Sequence, residues 1–267
     1  MGASFWLPCK TGDLEKCSIA GALFTSFATS ENVVGIIAAF GLILSLQGFS
    51  GRVRIASVLI FGMVVLLSGS RTAYVTLIIA LSWHAVSSLI ERQRKVFRIP
   101  FPVGLTLGVA AASAAMFLIY TAEPESFSRR GRIWIAVSSQ VDDQIVTGIG
   151  LSKWVYFQTL GEAPDHFFHS GYALLYFSGG LVALLLSAVV LAGLLAAESP
   201  LGRGLTEKSL VVLFATYSFT ETIWNPLAVD TYSWIVIGIF LTAAATPSDR
   251  LFDARKLLSA QSKTQNI

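Results

Sequence analysis

The chain has 267 residues, of which 54% are hydrophobic and only 13% charged, and its formal net charge is +3. Soluble domains carry about 25% charged residues, so this composition cannot cover a water-exposed surface and nearly excludes a soluble globular enzyme. The same composition argues against disorder and against binding to nucleic acid. It indicates an all-α, polytopic membrane protein.

Continuous apolar stretches predict about seven transmembrane helices, each close to the length that crosses a bilayer. Apolar and polar residues do not alternate in these stretches, which favours helices over the strands of a barrel. The predicted spans are residues 32–46, 53–68, 72–90, 99–120, 171–197, 209–222 and 228–245. Residues 18–30 are apolar but too few to cross alone, and they predict a re-entrant or interfacial segment. We treat residues 1–267 as a single membrane domain.

The distribution of Lys and Arg predicts the orientation of the spans. Alternate connectors collect twelve cations on one side and seven on the other, and the positive-inside rule places the first side in the cytoplasm. Six acidic residues crowd into the longest connector, residues 122–168, which supports the same orientation. This connector is therefore predicted to be an extracytoplasmic loop, and the C-terminus is predicted to be cytoplasmic.

The N-terminal segment is predicted to lie outside, because the number of spans is odd and the C-terminus is inside. Residues 1–17 lack the basic start and apolar core of a signal peptide. Either a further hairpin precedes this sequence, which we favour, or residues 18–47 hold a second short crossing. Cys9 and Cys17 both fall in this segment and form either a disulfide or two free thiols. Their neighbours do not suggest a metal site.

Arg71 lies in the short connection between the second and third predicted spans. One interpretation is an interfacial anchor whose guanidinium reaches lipid headgroups. The other is an anion site, because a cation is disfavoured on the outside and the planar guanidinium suits phosphate. The second interpretation makes Arg71 a candidate functional residue.

Three arginines, Arg129, Arg130 and Arg132, open the outside loop ahead of an amphipathic stretch at residues 133–146. They form either a solvated basic turn, a site for anionic lipid, or a clamp for phosphate or pyrophosphate beside the membrane. Trp134 and Trp154 are expected at headgroup depth, where amphipathic aromatic rings are enriched.

His166 and His169 directly precede the apolar stretch at residues 171–197. A histidine there either accepts a proton near neutral pH, faces an anion as a cation, or is simply an interfacial side chain. No further His or Cys lies nearby to complete a metal site. His84, inside the third span, is assigned to packing. Glu221 ends the sixth span, and a carboxylate in water is favoured there over a pair with a loop arginine.

Several of these features occur in a distinctive order along the chain. An Asn lies near a helix start, Ser-Arg joins two spans, Arg precedes Trp and a Gly-x-Gly turn, and His precedes a helix that contains Gly. They are Asn32, Ser70-Arg71, Arg130 to Trp134 with Gly148-Ile149-Gly150, and His169 with Tyr172, Leu175 and Gly180. This order resembles the O-antigen ligase and polysaccharide polymerase family over residues 23–241.

The resemblance implies a glycosyltransferase of the bacterial inner membrane that uses neither metal nor cofactor and has additional N-terminal helices. Its donor would be a glycan linked to undecaprenyl diphosphate, and its acceptor another lipid-linked glycan or lipid A-core. It implies that Arg71 and Arg130 bind the donor diphosphate and that His169 supports attack by the acceptor hydroxyl. Four further residues are expected to bind substrate: Arg132, His166, Asn32 and Glu221.

Two other classes of function stay open. A truncated or split member of the family would be non-catalytic, which would fit an outside N-terminus without a signal peptide. A membrane transporter would need ionisable residues in mid-span or repeated halves with broken helices. The spans contain few such residues and no convincing repeat, so the transporter is the weaker alternative.

Overall fold

The computed structural model describes residues 5–11, 15–26, 30–94, 99–165, 168–197 and 204–222. Within these ranges the chain forms a small antiparallel sheet and a bundle of helices, which confirms the all-α prediction for the body of the protein. The strands are β1 (Trp6–Pro8) and β2 (Ala22–Phe24), and the helices are α1 (Glu31–Gly48), α2 (Gly51–Ser68), α3 (Arg71–Arg94), α4 (Phe101–Tyr120), α5 (Ser126–Arg129), α6 (Gly131–Val141), α7 (Ser152–Thr159), α8 (Gly171–Ala196) and α9 (Gly204–Tyr217).

Four helices in the described part of the chain are long and apolar enough to cross a membrane, namely α2, α3 over Arg71–Ile90, α4 and α8. The apolar part of α1, Glu31–Leu46, is shorter. The first five predicted spans coincide with α1 to α4 and α8 to within a few residues. The sixth, at 209–222, extends too far, because α9 ends at Tyr217. The seventh, at 228–245, lies outside the described residues, so a total of seven spans stays a prediction.

Short polar residues and a glycine set the ends of the helices. Ser30 begins α1 and Ser170 begins α8, and each side chain accepts a hydrogen bond from the amide three residues further on. α2 ends at Gly69, whose φ of +65° is a left-handed conformation that glycine adopts at little cost. The chain therefore turns sharply, and Arg71 begins α3 beside the start of α1.

Small residues bring α4 and α8 into close contact. Gly104 faces Ala192 and Gly108 faces Ala188, and a Cβ at Gly108 would lie 2.9 Å from the Ala188 carbonyl oxygen. Small residues at helix interfaces let backbones approach in this way inside membranes. A second apolar cluster joins α1, α2, α3 and α9.

The segment between α4 and α8 contains α5, α6, a 3₁₀ turn at Asp142–Gln144 and α7. The predicted amphipathic stretch at residues 133–146 is helical in α6 as far as Val141, and the apolar face of α6 is buried. Trp134 and Trp154, which the sequence analysis places at headgroup depth, are instead buried inside the protein. The ring of Trp154 lies 4.4 Å from that of Phe168 and meets Phe177 edge-on. Burial among aromatic rings gives these side chains a packing role.

α8 is interrupted at Gly180, and the preceding connector provides acceptors for the backbone amides that the interruption leaves without helical partners. Gly180 has φ +60° and ψ −151°, a region that is essentially reserved for glycine. The freed amides of Leu181 and Val182 donate to the carbonyls of Ile145 and Val146 at 2.9 and 3.1 Å. The break therefore fixes the long connector to the middle of a membrane helix, where unpaired backbone groups would be costly.

The N-terminal segment is a disulfide-closed hairpin. β1 and β2 pair with Leu7 opposite Leu23, so residues 18–30 contain a strand that the expectation of a re-entrant or interfacial segment did not include. Cys9 and Cys17 form a disulfide, which decides against the alternative of free thiols. Leu23 is fully buried against Gly69, which anchors the hairpin to the turn between α2 and α3.

The break in α8 predicts a position-specific effect of adding one methyl group. In Gly180→Ala the new Cβ would lie 2.5 Å from the carbonyl oxygens of Ile145 and Val146, and the backbone would be strained as well. We expect a loss of about 1–3 kcal/mol in stability, measured as a lower thermal unfolding midpoint in detergent. Gly193→Ala in the same helix is the control, because a Cβ there meets nothing within 4 Å. Equal midpoints for the two variants would contradict this description.

Candidate functional site

A cavity of about 840 Å³ lies at the end of the bundle where α1 and α3 begin and where α9 has just ended. It brings together five residues that the sequence analysis proposes for the site, although they are far apart in the chain: Asn32, Arg71, Arg130, Arg132 and His169. Its lining is strongly cationic and includes six basic side chains: Lys10, Lys16, Arg71, Arg129, Arg130 and Arg132. Such a concentration of positive charge favours an anionic ligand.

Arg130 forms a buried ion pair with Glu221. The two side chains are 13% and 11% exposed, and the guanidinium lies 2.5 Å from the carboxylate. The same guanidinium donates to the carbonyl of Thr220. The favoured interpretation of Glu221 as a carboxylate in water is therefore wrong. Glu221 is drawn inward because a buried arginine needs a counter-charge, and it fixes the direction in which Arg130 points.

Arg132 lies in a different environment from Arg130. Its side chain is more than half exposed and pairs with Glu125, which also accepts a hydrogen bond from Arg129. Hydrogen bonds from Arg132 and Arg129 lower the pKa of Glu125, although desolvation opposes them. Arg130 is thus held by a buried carboxylate, whereas Arg132 lies at the solvent-exposed edge.

Arg71 is the first residue of α3, and its guanidinium donates to the backbone carbonyl of Glu15 in the N-terminal hairpin. In the described ranges no carboxylate forms an ion pair with Arg71. Arg71 lines the cavity together with the other basic side chains, where a guanidinium suits an anionic ligand. The turn that presents it is fixed by Ser70, whose hydroxyl donates to Asn32 at 3.0 Å.

His169 has a left-handed backbone, with φ of +46°, in the last turn before α8. Such a conformation is uncommon for a residue other than glycine and is found preferentially at functional sites. It persists because the following residues are fixed to the end of α9: Ser170 Oγ and the Gly171 amide both donate to the Ser218 carbonyl. His169 Nδ1 lies 4.0 Å from a carboxylate oxygen of Glu221, so one carboxylate faces both the arginine and the histidine.

The cavity is also lined by Lys10, Lys16 and Glu31, which were not expected from the sequence. The two ammonium groups lie 2.8 and 3.0 Å from the same Glu31 oxygen. Lys16 also donates to Asn32 at 2.8 Å, so Asn32 joins the hairpin to α1. Burial lowers the pKa of Lys16, while its hydrogen bond to Glu31 opposes the shift. The sequence feature that could have indicated the two lysines is the pair of cysteines on either side of them.

Of the two other histidines, His84 lies in the part of the chain that the structure describes. His166, predicted to bind substrate, lies outside the described residues. His84 Nδ1 lies 3.1 Å from Ser209 Oγ, between α3 and α9, in keeping with a packing role. Within the described part of the chain, no group of three or more His, Cys, Asp or Glu side chains is arranged to hold a metal ion.

Comparison with known protein families gives a match. A family model described as O-antigen ligase matches residues 55–188, half of the chain. The matched region contains Arg71, Arg130 and His169 and leaves Asn32 and Glu221 outside. No curated protein and no solved structure matches the chain.

The buried pair predicts that Glu221 contributes much more to stability than Glu125 does. Glu221→Ala leaves the buried guanidinium of Arg130 without its counter-charge, and we expect a loss on the order of 3 kcal/mol. Glu125→Ala, which removes a carboxylate paired with exposed arginines, should leave the thermal unfolding midpoint almost unchanged. The double variant Arg130→Ala/Glu221→Ala should be less destabilised than the sum of its single variants. Additive losses would show that the pair is not coupled.

Proposed function

The chain belongs to the O-antigen ligase family, and from this premise we propose that it transfers or polymerises a glycan carried on undecaprenyl diphosphate. The reaction takes place at the outer face of the bacterial inner membrane. The observation that carries the proposal is the convergence of Arg71, Arg130 and His169 on one cationic cavity at the end of an apolar helical bundle. A lipid-linked anion is the substrate chemistry that suits such a position.

Donor activation is assigned to Arg71 and Arg130. In the reaction the bond between the anomeric carbon of the glycan and the diphosphate oxygen breaks, and negative charge develops on the leaving undecaprenyl diphosphate. Guanidinium groups that are already in place stabilise that charge without reorganising during the step. Arginines acting in this way replace the divalent ion that often neutralises a diphosphate, and the reaction we propose needs no metal or cofactor.

Acceptor activation is assigned to His169. An acceptor hydroxyl attacks the anomeric carbon, a new glycosidic bond forms, and the hydroxyl proton passes to the imidazole. Glu221, 4.0 Å from His169 Nδ1, favours the protonated imidazole that results. Because Glu221 also pairs with Arg130, it aligns the groups that act on the donor and on the acceptor.

The remaining predicted residues have supporting roles in this proposal. Arg132, at the exposed edge of the cavity, attracts the anionic donor, and Asn32 positions the start of α1 through Lys16 and Ser70. His166 stays a candidate for substrate binding from the sequence alone. The acceptor is either a second lipid-linked repeat, which makes a polymer, or lipid A-core, and we favour the first. The long connector is periplasmic and the C-terminus cytoplasmic, by the distribution of Lys and Arg.

Replacing the proposed catalytic groups should strongly lower the rate of glycan transfer without affecting membrane insertion. Arg71→Ala removes a preorganised cation and should lower the rate of glycan transfer by about 10²–10³-fold. His169→Ala removes the proton acceptor and should lower the rate by about 10²–10⁴-fold. The measurement is surface polysaccharide in a complementation assay, with the membrane level of each variant followed by immunoblot.

Lys153→Ala is the matched control, because this lysine lies over the ring of Tyr156 and does not line the cavity. It should support normal polysaccharide. Normal polysaccharide with Arg71→Ala or His169→Ala at an unchanged membrane level would overturn the proposed function.

A further inference from the structure

The hairpin closed by Cys9 and Cys17 holds two like charges next to each other. Lys10 and Lys16 are opposite residues, since the amide of each donates to the carbonyl of the other at 2.9 and 3.0 Å. Side chains of directly opposite residues project from the same face, and like charges in such a pair are destabilising. The repulsion between the two ammonium groups therefore destabilises the hairpin.

Among the described residues, one carboxylate forms ion pairs with both lysines. The two ammonium groups contact the same Glu31 oxygen, at 2.8 and 3.0 Å, so this group of three side chains carries a net positive charge. The Glu31 side chain is 5% exposed, whereas that of Lys10 is half exposed. Both lysines line the cavity that contains Arg71 and Arg130. The excess charge therefore faces the space where an anion would bind.

The hairpin also positions Arg71. The carbonyl of Glu15, inside the disulfide-closed loop, accepts a hydrogen bond from the Arg71 guanidinium. The carboxylates that line the cavity in the described ranges are Glu15 and Glu31, and six cations line it with them. Three of these cations, Lys10, Lys16 and Arg71, thus depend on the loop between Cys9 and Cys17.

We propose that Lys10 and Lys16 bind the diphosphate of the lipid-linked donor together with Arg71, and that the Cys9–Cys17 disulfide holds them in position to do so. The proposal rests on the proposed function and extends it to residues outside the region that the family model matches. Ammonium groups on a short closed loop lose little freedom when they meet phosphate oxygens, so the disulfide contributes to affinity by preorganisation.

The test is the affinity of the purified full chain in detergent for farnesyl diphosphate and for farnesyl monophosphate. Wild type should prefer the diphosphate. Lys10→Gln and Lys16→Gln should each weaken diphosphate binding about tenfold or more, the effect of losing one charge-assisted hydrogen bond, and should reduce the preference over the monophosphate. Lys16→Arg should retain most of the affinity. Lys153→Gln, with the same charge change outside the cavity, should bind as wild type does.

The disulfide is tested with Cys9→Ser/Cys17→Ser, which should lose about as much diphosphate affinity as the lysine variants. The thermal unfolding midpoint is measured for each variant. If Lys16→Gln fails to fold because Glu31 loses a partner, the diphosphate affinity of Lys10→Gln is the deciding measurement, since the side chain of Lys10 is half exposed.

The outcomes separate this inference from the proposed function. If Arg71→Ala loses diphosphate binding while the lysine and cysteine variants bind as wild type does, the inference is overturned and the proposed function stands. If the lysine variants lose affinity equally for farnesyl diphosphate and farnesyl monophosphate, the lysines have only a structural role and the inference is again overturned. If wild type binds neither probe, both proposals fail.

Discussion

Cations gathered in one cavity beside an apolar bundle repel each other, and in this protein shared carboxylates hold them together. Each of three glutamates contacts two basic groups, so every carboxylate steadies its partners yet leaves the site positive. Glu31 and Glu221 are buried, where removing a carboxylate leaves its basic partner without a counter-charge. The three sets are Glu31 with Lys10 and Lys16, Glu125 with Arg129 and Arg132, and Glu221 with Arg130 and His169.

The helices serve this arrangement by bringing distant parts of the chain to one end of the bundle. The sharp turn at Gly69 places Arg71 beside the start of α1, and hydrogen bonds to the Ser218 carbonyl place His169 beside the end of α9. The break in α8 at Gly180 fixes the connector that carries Arg130. Rigid helix ends are a more precise support for such a site than loops alone. In the proposed reaction, Glu221 then links the group that binds the donor to the group that receives the acceptor proton.

The sequence alone predicted the five longest helices to within a few residues, because a continuous apolar stretch encodes a span directly. It also gave Arg71, Arg130 and His169 as candidate site residues, since a cation or histidine at a helix end is conspicuous in so apolar a chain, and these three residues line one cavity. It did not predict that Glu221 pairs with Arg130, because they are 91 residues apart and either partner alone resembles a solvated charge. It missed the hairpin lysines and the break at Gly180, since Gly in an apolar run does not distinguish a continuous helix from an interrupted one. The Trp side chains were misplaced because burial within the protein and burial at a membrane surface select the same residue type.

We propose that the cations of this cavity bind the diphosphate of a lipid-linked donor. A structure of the full chain, determined by electron cryomicroscopy in a lipid nanodisc with undecaprenyl diphosphate, tests this binding. We expect density for the diphosphate inside the cavity, with phosphate oxygens about 3 Å from the guanidinium of Arg71 and in contact with Arg130 and Lys16. A diphosphate bound elsewhere on the protein, with none of these side chains in contact, would contradict it.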